Sequence, residues 1–224
     1  MFLHIPDVLS PEQVADLRHL LVTAPWVDAS GAVGDLSAAA CLHLDDHDPL
    51  SWRLGDRIAD ALGRSALFTA AALPLRLFPP IFERDRGAPA SAPIVDEAVR
   101  TLPGSPLRMR ADLSGVIFLS DPEDYDEGEL VIMDAFGTYA AKERAGHVVL
   151  FPAVVEHAMR PVTRGVRLAA RFWVQSLIRD REPRDLLLDL DTTIKRLTAS
   201  GADAEAIAQL GHLYQRLVRR WAEL

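Results

Sequence analysis

Read for hydrophobic and polar positions alone, the chain changes period twice. Residues 2–8 read as a short strand, and Ser10-Pro11-Glu12-Gln13 then supplies an N-cap, a first-turn proline and the Gln of a capping box. The helix that follows places Val14, Leu17 and Leu21 on one face. Asp48-Pro49 opens a second helix, with Leu50, Leu54, Ile58 and Leu62 at four-residue spacing and an end near Gly63. A third helical piece, SALFTAAAL, stops at Pro74, after which LRLFPPIFERDR is strand-like. From Asp112 the period becomes two. The segments DLSGVIFLS, ELVIM, TYAAK, VVLFP, VEHAMRPV and RLAARFWVQS are short strands separated by Gly, Pro and Asp turns, which predicts a sandwich or barrel.

The last two of these strands read as a hairpin joined at Thr163-Arg164-Gly165, placing His157 and Arg167 on neighbouring strands, ten residues apart in sequence. Alternation points Arg167, Ala169, Arg171 and Trp173 to one face and Leu168, Ala170, Phe172 and Val174 to the other. After Arg179 the helical period returns. One stripe holds Leu187, Leu190, Ile194 and Leu197, and another Ile207, Leu210, Tyr214, Leu217 and Trp221, with Asp203 as an N-cap between them. Such stripes suit an intrachain core or a homodimer seam equally well. No internal repeat or long linker appears, so a single domain with a helical appendage is the simplest organisation.

Composition narrows the classes. A chain of 224 residues, 49% hydrophobic, can bury a full core. The 32 acidic against 24 basic residues give a net charge of −8, which argues against a nucleic-acid surface. The single cysteine, Cys41, excludes an intrachain disulfide. The start MFLHIPDVLS lacks a basic segment followed by an apolar one, and no run approaches the ~20 apolar residues of a membrane span, so the expectation is a cytoplasmic protein.

Residues 28–48 are small and polar and read as a loop or frayed strand; His43, Asp45 and His47 at alternate positions admit a metal reading beside that of a solvated acidic loop. The stretch 87–93, GAPASAP, reads as irregular. His147, in AGHVVL, reads as a strand-edge residue. His157 is either an ordinary buried histidine or a ligand. Asp96 is either a turn carboxylate or a ligand, and Arg167 and Arg171 are either pocket cations or structural partners of Asp85, Glu83 or Asp112.

The stretch Gly146–Trp173 resembles the last strands of the iron(II)/2-oxoglutarate dioxygenase core, in which a histidine ligates the metal and an arginine about ten residues on pairs with the 2-oxoglutarate carboxylate. The resemblance extends through HIPDVLSPEQV, ALFTAAALP, DLSGVIFLSDPEDYDEGELV and VTRGVR…SLIRD to the PKHD-type hydroxylases of bacteria. It implies a mainly β fold with flanking helices, a double-stranded β-helix (jelly roll) over residues 1–180, and a helical extension over 181–224 packed on the same domain. It also implies an oxidoreductase, with Asp96 and His157 as catalytic metal ligands, Arg167 as the cofactor-binding arginine, and iron(II) and 2-oxoglutarate as cofactors.

Three positions depart from that pattern. The family's first metal motif is His-x-Asp, and this chain reads Ile94-Val95-Asp96. Two histidines and a carboxylate form the facial triad of non-haem iron, and an isoleucine has no lone pair to offer. Asp85 stands where the family tends to have tyrosine, and Arg171 where it has an apolar or small residue; both become candidates for substrate binding. Arg167 and Arg171, four residues and so about 13 Å apart along one strand face, would suit a dianionic ligand or one with two separate acidic groups. Two functions remain open. One is an oxygenase with a depleted iron site acting on a small anionic molecule. The other is a metal-free protein on the same fold, either a non-redox enzyme or a catalytically silent binding protein.

Overall fold

The computed structural model describes residues 2–28, 41–87, 92–135 and 137–223. The first half runs β1 (Leu3–Ile5), α1 (Pro11–Val22), β2 (Trp26–Asp28), β3 (Cys41–Leu44), α2 (Pro49–Arg64), α3 (Ala66–Ala72), β4 (Pro74–Leu77) and β5 (Ile81–Asp85). There follow β6 (Val99–Thr101), β7 (Arg108–Arg110), β8 (Leu113–Phe118), β9 (Tyr125–Glu127), β10 (Leu130–Asp134), β11 (Gly137–Ala141) and β12 (Val148–Pro152). Last come β13 (Glu156–Met159), β14 (Val162–Gly165), β15 (Arg167–Ser176), α4 (Arg181–Ala199) and α5 (Ala204–Trp221).

One large antiparallel sheet has the order β1-β12-β8-β15-β5-β3-β2, with β4 also pairing β15, and a smaller sheet has the order β11-β10-β13. The jelly-roll expectation holds. Helices α1, α2 and α3 cover one face of the large sheet: Val14, Leu17, Leu54, Ile58, Leu62 and Phe68 bury against Leu113, Ile117, Leu150, Phe172 and Val174. The other face closes on the smaller sheet through Val116, Phe118, Val149, Phe151 and Ala169 against Leu130 and Ile132. The alternation read for β15 is therefore real, with Ala170, Phe172 and Val174 on the helix side and Ala169 and Trp173 on the opposite side. Gly115 lies opposite Phe172, where a Cβ would sit 2.2 Å from the ring. Only glycine lets that ring lie on the strand.

The capping box at Ser10 forms in both directions, and Asp48 and Asp203 cap α2 and α5. Leu187 of α4 and Tyr214, Leu217 and Trp221 of α5 pack with Leu73 and Ile178, so the tail helices lie on the jelly roll.

One local expectation is corrected. The segments around His157 and Arg167 do not form a hairpin, because β13 pairs with β10 while β15 lies between β8 and β5. The supposed turn is itself strand β14, paired with β9, and Gly165 holds φ +83 where a Cβ would stand 2.1 Å from the Asp124 carbonyl oxygen. His157 and Arg167 thus come from different sheets. Within 28–48, read as a loop or frayed strand, residues 41–44 take the strand alternative as β3, paired with β5. Residues 29–40, and 88–91 of GAPASAP, lie outside the described residues.

Candidate functional site

The inner face of the large sheet is lined at alternate positions by polar side chains. On β5 these are Glu83 and Asp85, on β15 Arg167 and Arg171, and on β8 Ser114. Register sets the pairs, with Asp85 directly opposite Arg167, Ile81 directly opposite Arg171, and Glu83 opposite Ala169, one diagonal step from Arg171. Residues that face each other across an antiparallel pair are close enough for their side chains to interact.

Arg167 is 2% exposed and Asp85 3%. Arg167 Nη2 donates to Asp85 Oδ2 at 3.0 Å, and Nη1 donates to the Gly128 carbonyl at 2.9 Å and to the Arg160 carbonyl at 3.5 Å. Two of the three guanidinium nitrogens are committed to the protein, leaving only Nε without a partner among the described residues. Nearby Tyr125 is fully buried, its hydroxyl also lacks a hydrogen-bond partner there, and burial pushes the phenol up to about 12.

Arg171 Nε donates to Glu83 Oε1 in a short ion pair, and His43 Nε2 lies 3.8 Å from the same oxygen. His43 belongs to β3, directly opposite Glu83. Its place is therefore in the ion-paired row, apart from Asp45 and His47, with which the sequence reading had grouped it. The Arg171 guanidinium also lies 5.7 Å from the Trp173 ring, and that of Arg100 stacks on the same ring at 3.5 Å. Burial lowers the Arg100 pKa, against the opposing pull of Asp96 and Glu97.

Asp96 and His157 meet on the opposite wall. His157 Nε2 lies 3.6 Å from Asp96 Oδ2, with the two side chains 6% and 5% exposed. His157 Nδ1 contacts the Val155 carbonyl at 3.1 Å, Phe151 packs edge-on to the imidazole at 4.9 Å, and Ser114 donates to Asp96 Oδ2 at 2.5 Å. Asp96, not His157, is the group bonded to the serine, so the trio lacks the serine–histidine contact that activates a nucleophile. Ile94 exchanges both backbone hydrogen bonds with His157, at 2.9 Å each. Directly opposed residues in that geometry carry their side chains on one face. Ile94 therefore carries its side chain on the same face as His157.

The sequence-predicted residues accordingly fall into two groups, Asp85 with Arg167 and Asp96 with His157, and Arg171 lies on the wall of the cavity at the second group. Sequence reading raised Glu83 only as a partner for the arginines and missed Ser114, Tyr125 and the Gly128 carbonyl. Ser114 was findable, since alternation along DLSGVIFLS puts it in phase with Val116 and Phe118 on the inner face.

The residues present fit iron and 2-oxoglutarate poorly. No third His, Cys, Asp or Glu stands with Asp96 and His157 among the described residues. Arg167, to which the resemblance assigns a cofactor carboxylate, already holds the carboxylate of Asp85. The cavity bordered by Asp96, Ser114, Phe151, His157, Arg171 and Trp173 has a volume of about 10 Å³, room for roughly one water molecule.

The fold is shared with solved proteins that bind 2-oxoglutarate. HygX from Streptomyces hygroscopicus, solved with nickel and 2-oxoglutarate bound, matches at TM-score 0.54 and 17% identity over 80% of this chain and 84% of its own. The epimerase SnoN, in complex with Fe3+, alpha ketoglutarate and nogalamycin RO, matches at TM-score 0.57 and 17% identity over 79% of each chain. The architecture is thus the double-stranded β-helix of the 2-oxoglutarate- and iron(II)-dependent oxygenases.

Sequence comparison narrows the class. Residues 182–223 match the family model described as PKHD-type hydroxylase C-terminal domain. The whole chain is 48% identical to a PKHD-type hydroxylase of Burkholderia thailandensis over 227 residues, covering all of both chains, and 46% identical over 226 to one of Methylobacillus flagellatus with the same coverage. The chain belongs to the PKHD-type hydroxylase family. No helix among the described residues is long and apolar enough to cross a membrane.

Proposed function

We propose that this chain is a PKHD-type family member that has given up iron(II)/2-oxoglutarate oxygenation and is metal-free and catalytically silent at its former catalytic centre. The observation that carries this reading is the Asp85 carboxylate on Arg167. It occupies the guanidinium that the resemblance assigns to the cofactor, with both groups buried and 3.0 Å apart.

The metal side of the cavity supports the same reading. Two protein ligands give up most of the affinity and geometry that a closed triad provides, and Ile94 stands where the third would be. The expected dianionic substrate loses its support too, because the cations are matched. Arg100, Arg167 and Arg171 share the inner face with Glu83, Asp85 and Asp96, and the arginines of β15 are each bonded to a carboxylate of β5. A further anion at Arg167 or Arg171 would compete with the carboxylate already bonded there.

The rival reading, an iron enzyme with a depleted site, rests on the 3.6 Å convergence of Asp96 and His157 and on family membership. Turnover separates the two. The purified chain, supplied with iron(II), ascorbate and 2-oxoglutarate, is expected to form no succinate above the level of an Asp96→Ala/His157→Ala control. Succinate production that disappears in that control would overturn the proposal.

A further inference from the structure

At the opposite end of the large sheet, three side chains bring ligand atoms to one point. His4 lies on edge strand β1, His147 immediately precedes β12, and Glu143 lies in the connection before it. His4 Nε2 is 3.0 Å from His147 Nδ1 and 3.2 Å from Glu143 Oε2, and the donor atoms of all three lie within 4.8 Å of one another. On the far side of the His147 ring, Nε2 lies 3.5 Å from Asp7 Oδ1. Asp7 follows β1 with φ +52, a left-handed backbone in which aspartate is one of the few non-glycine residues at home.

Proton bookkeeping at this point leaves a surplus of lone pairs. With His147 Nε2–H directed at Asp7, its Nδ1 is an acceptor, and so is the Glu143 carboxylate. Only the single Nε2–H of His4 can then serve both. A divalent cation does the same work with three bonds in place of one shared proton, and its binding releases that proton. The spacing suits it: ligand atoms around a tetrahedral zinc at ~2.0–2.1 Å stand roughly 3.3 Å apart. A carboxylate on the outer nitrogen of a ligating histidine is the arrangement that fixes tautomer and ring orientation at zinc sites. The His4 and Glu143 side chains are 39% and 20% exposed, so the group is open to solvent.

We propose that His4, Glu143 and His147 form a zinc site, oriented by Asp7, that clamps strand β1 to β12 and leaves one coordination position to water. The site is independent of the Asp96–His157 cavity and of the function proposed for it. Two imidazoles and one carboxylate make up a known zinc ligand set, and among common divalent ions zinc accepts that set in tetrahedral form without a redox requirement.

The test uses the full chain stripped with a chelator and then dialysed against zinc chloride. Wild type is expected to take up one equivalent of zinc and to melt at a higher temperature with zinc than without. His4→Gln/His147→Gln is expected to take up none and to show no zinc-dependent rise. Asp96→Asn/His157→Gln should bind like wild type. Should the double histidine variant melt lower without metal, Glu143→Gln provides a second measurement, with zinc affinity falling about tenfold or more. Failure of wild type to bind zinc, equal binding by the His4/His147 variant, or loss of binding in the Asp96/His157 variant would each overturn the proposal, and the last would place the ion in the other cavity.

Discussion

Replacing Asp85 by alanine should be among the most damaging single changes in the protein. The carboxylate is 3% exposed and its partner Arg167 2%, at 3.0 Å. The gross attraction of unit charges at that separation is roughly 5–6 kcal/mol for an effective dielectric constant near 20. Removing one partner of a buried pair costs about 3–5 kcal/mol, since the remaining charge stays buried and uncompensated. Asp85 also accepts the Gly87 N–H at 3.0 Å, so the turn after β5 loosens as well. For a chain of this length each kcal/mol moves the melting temperature by about 2–4 °C, giving an expected fall of about 6–20 °C. Urea titration of wild type, Asp85→Ala, Arg167→Leu and the double variant measures the coupling, and the double variant should be less destabilised than the sum of the singles. Asp85→Ala alone should also be stabilised by millimolar 2-oxoglutarate, which can return a carboxylate to Arg167, while wild type should not respond. A cost below about 1 kcal/mol, strict additivity, or equal stabilisation of wild type by 2-oxoglutarate would refute the argument that Asp85 fills the cofactor's place.

Arg171→Leu should lower stability by about 2–4 kcal/mol in urea, because Glu83, 4% exposed, is left buried without its main cation; an unchanged midpoint would return Arg171 to the role of a ligand-binding cation. Gly165→Ala should cost roughly 2–4 kcal/mol by the same assay, since φ +83 is retained only at strain and the new Cβ meets the Asp124 carbonyl. At alkaline pH, Tyr125 carries a sign that can be checked. Its folded pKa, about 12, lies above the ordinary value of 10, so the native state holds the phenolic proton more tightly than the unfolded chain, and stability should fall as pH rises through that interval. Tyr125→Phe should flatten the fall; an unaltered profile would assign it to other groups.

Much of the fold was legible because local signals agreed. The capping box at Ser10, the four-residue spacing from Leu50 to Leu62 and the alternation along residues 167–176 each correspond to an element with the buried face expected. What failed was partnership. A run of short strands does not say which strand pairs with which, and residues 156–176 read naturally as a hairpin although β13 and β15 belong to different sheets. The chemistry was legible to the same degree. Asp96, His157 and Arg167 could be named from spacing and resemblance, but the neutralisation of Arg167 and Arg171 depends on the register of β5 against β15, which sequence does not state. Asp85 and Glu83 stand at alternate positions in FERD, so their shared face could be seen, yet the strand they face could not. The His4–Glu143–His147 group was beyond reach because β1 and β12 are adjacent only in three dimensions.

The central claim is that this family member's former iron site no longer holds iron, and anaerobic titration with iron(II) tests it most directly. The titration is best done in the His4→Gln/His147→Gln background, so that the edge-strand histidines contribute nothing, and with Ile94→His as a comparison. Ile94 and His157 are directly opposed, so the histidine variant supplies the missing third ligand beside Asp96. The account expects no saturable iron binding by the chain with Ile94 and a gain of one equivalent with Ile94→His. One equivalent of iron bound with Ile94 in place, and lost on Asp96→Asn, would contradict it.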